Sequence, residues 1–379
     1  MSLSRCFKFS SLFCCLIPFG SLCAADRGGA GDDIFQFHGF AAQAILHTSD
    51  NSFGGRSDDA LSSDYNELGA NFAYQPRHTL RLSAQAVTRN AGGYDVGTAR
   101  LDYFQLDYAF ISSGEDKAGV RLGRIKNNFG FYNSTRDVAH TRPSIYLPHN
   151  IYWEPVRDML LARDGGSLYW DAYRAAGMLS TELGYGKPQI TPEMATETLF
   201  FKVNHVSTRQ PKLALARLAW EDGAGEWRFA MSALTASSGL DVGLVGDFDA
   251  RYVVTSLQFS RERWQLTSEF VWFNYDLKMD PLTRNSYGDS AYLQYNYFIS
   301  AAWQWYARYD VGYFDRQHRN GSSFEPFLPR FAAYSRDVGT GLRWDLDAHW
   351  MLAAELHYIE GGLALSIVDN PDMWQASKY

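Results

Sequence analysis

"TLRLSAQAVTR", residues 79–89, decides how the chain is read. On an extended backbone successive side chains point to opposite faces. Leu80, Leu82, Ala84 and Ala86 then share one face, while Arg81, Ser83, Gln85 and Arg89 fall mostly on the other. In "YFQLDYAF", residues 103–110, Phe104, Leu106, Tyr108 and Phe110 oppose Gln105 and Asp107. The segments "EWRFAMSA", "RWQLTSEFVWFNY", "AYLQYNYF" and "AAWQWYARYDVGYF" alternate in the same way. Period-two alternation over roughly ten residues, closed by a turn, marks a strand with one face in lipid and the other in a wet lumen. Leu80, Leu82, Phe104, Leu106, Phe229 and Trp272 are expected to face lipid.

The first 25 residues place this pattern in an exported protein. Arg5 and Lys8 form a charged leading region, "FSSLFCCLIPFG" is a short apolar core, and "CAAD" offers cleavage after Ala25. That core suits a signal peptide and is too short for a spanning helix. Leu22 before Cys23 is too large for a lipoprotein signal. All four cysteines, Cys6, Cys14, Cys15 and Cys23, lie in the leader. The mature chain then has no disulfide framework, zinc–thiolate cluster or thiol nucleophile. Loss of Arg5 and Lys8 from 35 basic residues leaves 33 against 42 acidic ones, a net charge of −9. So acidic a chain does not suit nucleic acid.

No Pro/Ser linker or change of composition divides residues 26–379, which read as one unit. Aromatic residues are 16% of the chain, and many sit near strand ends, as Tyr74, Trp227, Trp264, Tyr287, Trp344 and Trp350 do. This suits the interfacial girdles of a barrel. A soluble sheet would bear "WQWYARYDVGYF" as a costly solvent face. No apolar run after the leader is long enough for a helical span. The connections alternate between short and long, as outer-membrane barrels require, provided that 196–206 is external loop and not wall. The longer ones are expected at 48–64, 90–98, 126–165, 186–210, 236–249, 276–286 and 315–333.

Fifteen strands are legible on this count, the last near 349–359. Bacterial single-chain barrels have even numbers. The fold expected is all-β: a transmembrane antiparallel β-barrel of about 16 strands with its closing C-terminal strand missing. Tyr379 is a terminal aromatic, but Ser377 and Gln375 break the alternation behind it.

"LGRIKNNFGFYN", residues 122–133, resembles the Gly-Arg-x-Lys-x-x-x-Gly segment of bacterial outer-membrane porins of the general and phosphate-selective type, here Gly123, Arg124, Lys126 and Gly130. "STRDVAHTRPSIYLPHNIYWEP", residues 134–155, is similar to the loop that follows it in porin-like proteins of gammaproteobacteria. The resemblance implies an outer-membrane channel whose third external loop folds inward and narrows the pore. Its expected partners are outer-membrane lipid and lipopolysaccharide, small hydrophilic solutes and further copies of the chain in a homotrimer, with no cofactor and no nucleic acid.

A lumen of this size selects nothing unless charge is brought into it. Residues 126–165 carry that charge: Arg136, His140, Arg142, Arg157 and Arg163 among Asp137, Glu154, Asp158 and Asp164. With Arg121, Arg124 and Lys126 these are the candidate pore residues. The alternative is a solvated external loop whose charges pair with one another or with lipopolysaccharide. From Arg124 to Arg163, Arg124, Lys126, Arg136, Arg142, Arg157 and Arg163 exceed Asp137, Glu154 and Asp158 by three, which predicts mild anion preference. "EPVRDMLLARDGG" reads as a short helix with Pro155 in its first turn and Gly165 at its end. Parity points Arg121 inward, and sends Arg124 and Lys126 outward unless Gly123 hosts a bulge.

Passive diffusion of small hydrophilic solutes is the activity expected; a substrate-specific channel for anions or another nutrient is the alternative. A lipid hydrolase is weighed on "RQHRNGSSF", whose His318, Asn320 and Ser322 are superficially like an outer-membrane phospholipase motif in the wrong order. Asn320-Gly321 is more simply a turn. His38, His205 and His357 have no metal-ligand spacing.

Overall fold

The structure is a computed structural model that describes residues 6–8, 12–15, 34–58 and 60–373. The expected cleavage site at Ala25 and the terminal residues Gln375, Ser377 and Tyr379 lie outside the described residues, as does most of the leader. Two leader segments are described by their backbone, β1 (Cys6–Lys8) and β2 (Leu12–Cys15).

Fifteen long strands follow. The first seven are β3 (Phe35–Ile45), β4 (Asn66–Arg77), β5 (Leu80–Asn90), β6 (Arg100–Ser112), β7 (Asp116–Lys126), β8 (Ala162–Arg174) and β9 (Gly177–Pro188). Next come β10 (Ser207–Asp222), β11 (Trp227–Asp241), β12 (Val245–Arg261) and β13 (Trp264–Met279). The last are β14 (Leu282–Phe298), β15 (Trp303–Tyr313), β16 (Tyr334–Asp345) and β17 (Met351–Gly361). Each pairs antiparallel with its sequence neighbour. β3 and β17 do not pair with each other: β2 lies between them, pairing with β17 at four positions and with β3 at three.

No helix among the described residues is long and apolar enough to cross a membrane, a statement that says nothing of strands. The strands carry the apolar face instead. Leu82, Leu106 and Leu122 are cross-strand partners on β5, β6 and β7, and they point outward with Phe104, Tyr108 and Leu168. Phe229 and Trp272 occupy the same outward parity, between the exposed Trp227 and Met231 and after the exposed Phe270. The inward face carries Ser83, Gln85, Gln258, Thr267, Gln294 and Asn296.

One end has the tight connections, such as 78–79, 175–176 and 262–263; the other has the long segments 46–65, 91–99, 127–161, 189–206 and 314–333. Residues 196–206 are not wall: α2 (Pro192–Leu199), capped by the Thr191 side chain, leads into an irregular return. Two expected loops are corrected. At 236–249 and 276–286 the chain continues as tall hairpins, turning only at 242–244 and 280–281. The alternation there is inverted: Val245, Asp247, Asp249 and Arg251 point out, while Phe248, Ala250 and Tyr252 are buried inside. Above a bilayer the outward face meets water, so polar-out and apolar-in is the stable pattern, the opposite of that in lipid.

Candidate functional site: the loop inside the barrel

Residues 127–161 do not stand outside the barrel. They cross its interior and are anchored on four sides. The root lies at β7 and β8, where the Asn127 amide donates to the Leu161 carbonyl at 2.9 Å. Arg163, wholly buried, donates to Asn127 Oδ1 at 2.6 Å and to Glu182 Oε1 on β9 at 2.8 Å. Gly184 makes room for it, because a Cβ there would meet the guanidinium.

The second anchor is Glu269 on β13. It accepts from the Tyr152 hydroxyl at 2.6 Å, from Ser256 at 2.5 Å, from Tyr292 at 3.1 Å and from the Phe131 amide at 2.9 Å. Gly130 has a left-handed φ of 64°, and a Cβ there would press on both Glu269 and Tyr152. Around this anchor Phe129, Leu147, Ile151, Met159 and Leu160 pack on the apolar inner face of β10 to β14.

The third anchor lies on β15 to β17. Glu355 accepts from the Ile145 amide at 2.5 Å, and Arg308 donates to the Tyr146 carbonyl at 3.0 Å. His357 bridges Asp337 and Glu355 at 2.9 and 3.3 Å. Burial pushes the nearby His149 imidazole of the loop down to about 4, so it is neutral there.

The fourth anchor, on β4 and β5, is ionic. Arg142 donates to Glu67 at 2.6 and 3.1 Å, and Arg89 reaches Glu67 at 3.2 Å and Glu154 at 3.0 Å. Arg136 donates to Glu154 at 2.5 Å. Burial alone would raise Glu154, but Arg89 and Arg136 hold it down at about 2. Asp137 is paired with both Lys126 and Arg157, and Lys126 also reaches Asp102 at 2.6 Å.

Several expectations are corrected here. Arg136, Asp137, Arg142 and Arg157 are buried in ion pairs. The surplus of three positive charges does not survive folding. Wall carboxylates absent from the linear count take it up, Glu67 on Arg142, Asp102 on Lys126 and Glu182 on Arg163. Arg121 points inward, donating to Asp107 at 3.1 Å. Arg124 shares a face with its exposed cross-strand partners Phe104 and Asp164, and donates to Asp164 at 3.3 Å. Lys126 turns inward at the strand end, against parity, drawn by its two carboxylates. The helix at 154–165 is shorter than expected: a turn of 3₁₀ at Glu154–Val156 and α1 (Arg157–Leu161), after which β8 begins, so Gly165 lies in a strand. His140 is exposed, and Asp158 accepts from Thr191 at 2.9 Å.

The external end is covered by the segment after β17. Trp153 Nε1 donates to the Leu363 carbonyl at 3.1 Å, and Tyr94 to the Ala364 carbonyl at 2.7 Å. Ser366 and the Ile367 amide donate to Glu197 of α2 at 2.6 and 2.8 Å. Asp369 accepts from the Gly93 amide at 2.8 Å, and Asn370 from that of Ser52 at 2.7 Å. In the loop 314–333, His318 contacts Asp315 at 2.9 Å, and Asn320 accepts from the Ser322 amide at 3.2 Å across a left-handed Gly321. Facing the short-turn end, a cavity of about 420 Å³ lies between the inner wall of β4 to β7 and the loop.

No protein-family model matches the chain, and no curated protein is similar to it in sequence. Solved structures are similar in fold. The outer membrane channel DcaP of Acinetobacter baumannii matches with a TM-score of 0.51 at 10% identity, over 94% of this chain and 96% of that one. An anion-selective porin from Comamonas acidovorans matches with a TM-score of 0.49 at 10% identity, over 94% and 98% of the two chains. OmpT of Vibrio cholerae matches with a TM-score of 0.49 at 8% identity, over 87% and 98%. With fifteen antiparallel strands, an apolar exterior and DcaP as a fold relative, the chain has a porin-like β-barrel fold.

Proposed function

We propose that the chain is a channel for passive diffusion of small hydrophilic solutes across the outer membrane of a Gram-negative bacterium. It would be delivered there by a cleaved leader, residues 1–25, and, with a further strand closing the seam between β3 and β17, would assemble as a homotrimer in lipid and lipopolysaccharide. The observation that carries the reading is the opposition of the two faces of one wall. Leu82, Leu106 and Leu122 point out, while Ser83, Gln105, Asp107 and Arg121 point in around a cavity. Lipid demands the first set, and only water or a polar solute rewards the second. The loop 127–161 narrows this lumen from within, where pore diameter and charge set what passes.

The test is conductance of the refolded chain in a planar bilayer. Stepwise current in symmetric potassium chloride, together with liposome swelling by small sugars, supports the reading. A protein that inserts as a heat-modifiable barrel and passes neither ions nor sugars overturns it.

A further inference from the structure

The cavity below the loop differs in charge from the rest of the molecule. It is bounded by His78, Arg81, Lys117, Arg121 and Lys126, with Asp107 as its one carboxylate. Its volume of about 420 Å³ lies within the range of roughly 300–1,000 Å³ usual for small-molecule sites. Two of these cations are already taken up in part. Lys126 faces Asp102 and Asp137, and Arg121 directs Nε to Asp107 and Nη1 to Glu182 at 3.5 Å. Among the described residues Arg121 Nη2 makes no hydrogen bond, and Arg81 and Lys117 make no ion pair.

The register explains why these groups meet. Arg81, Asp107 and Arg121 are successive cross-strand partners on β5, β6 and β7, so they form one inward row. Tyr169 of β8 stiffens that row. Its ring lies 4.1 Å from the Arg121 guanidinium carbon and 6.0 Å from Lys117 Nζ, and its hydroxyl donates to Asp107 at 2.7 Å. Asp107 is thus held by two donors and fixes Arg121 on the ring; Arg81 and Lys117 flank the pair, standing opposite Asp107 and Asp171 in the ladder but forming no ion pair among the described residues. In a chain of net charge −7, a cleft with this balance concentrates anions, because low-dielectric walls focus its field.

We propose that this cavity is a binding vestibule for small solutes bearing two negative charges, carboxylate or phosphate, held between Arg81, Lys117 and the free edge of Arg121. This rests on the channel reading for solute access alone, since occupancy of the vestibule is measurable without conduction.

The experiment is isothermal titration of the full refolded chain in detergent at low salt with inorganic phosphate, with succinate and with glucose. Saturable binding of one or both anions and none of glucose is expected. Phosphate alone or succinate alone identifies the preferred headgroup. The paired substitution Arg81→Gln with Lys117→Gln weakens binding by about ten-fold or more, while heat-modifiable mobility on gels stays unchanged. Added salt weakens it as well. Absence of saturable heat with either anion overturns the proposal, as does a paired variant within about two-fold of the parent chain. A chain that conducts but binds neither anion loses the vestibule and keeps the channel; one that binds but does not conduct loses the channel and keeps the vestibule.

Discussion

Glu67 shows how much rests on single buried charges. It is nearly inaccessible and accepts from Arg142, Arg89 and the Tyr65 hydroxyl. Removing one partner of a buried pair costs more than the pair contributes, because the other charge is left without compensation. Glu67→Ala should therefore destabilise the folded barrel by about 3–5 kcal/mol, read as a fall in its urea midpoint at constant slope; an unchanged midpoint would show that the network stands without it. On the outward face the same chemistry acts through lipid. Leu106 is 40% exposed in the centre of the row Leu82–Leu106–Leu122, and Leu106→Arg should cost about 2–4 kcal/mol near the bilayer midplane, measured by unfolding from vesicles. A cost near zero would place this row in the interface or in water. The outward residues were legible because lipid tolerates one polarity only. The partners of the loop cations were not: in a wet lumen a carboxylate at inward parity is ordinary, and Glu67 lies 75 residues from Arg142 in sequence.

At the scale of elements, fifteen strands were legible from alternation and turn residues, and so was a long polar segment after β7. What alternation concealed was height. β11 to β14 run for 15 to 17 residues, and their upper halves invert polarity. A reader who expects apolar-out takes the inversion for loop. The strap 362–373 follows the last strand, and its hold on α2 depends on a carboxyl distant in sequence. Burial pushes Glu197 up to about 7, against hydrogen bonds from Ser366 and the Ile367 amide, and the negative charge of Asp369 pushes the same way. Tyr94, beside the strap, is raised by burial and by Glu197 itself, and so stays neutral. A raised carboxyl means that the strapped state holds its proton more tightly than the released one. The contribution of Glu197 is whole below its ordinary value of 4.5 and is lost as pH climbs through about 7. Proteolysis within 362–373 should be faster at about pH 8 than at about pH 5, and Glu197→Gln should flatten that difference. Equal cleavage of the unaltered chain at both values would remove Glu197 as the titrating group.

At the scale of the whole molecule the seam decides whether the sheet survives in lipid. Neighbouring strands from β3 to β17 are joined by long ladders, as many as sixteen residue pairs between β12 and β13. Between β17 and β3 the joint is β2, with four pairs on one side and three on the other. β3 and β17 are eleven residues each, so most of both edges is left without a ladder from β2. β1 adds three pairs to β17 and none to β3. A backbone group without a partner costs several kcal/mol in hydrocarbon, where no water replaces the missing bond. Closure of the seam is therefore worth more than any single side-chain contact in the wall. Removing residues 1–25 takes away β1 and β2, the strands that join these two edges among the described residues. That shortened chain should run on gels without the mobility shift on heating that marks a closed barrel. Appending about ten alternating residues with a terminal Phe should restore the shift, by supplying a full-length ladder to both edges. Should the shortened chain already show the shift, β3 and β17 must close on each other, and the barrel is complete with fifteen strands.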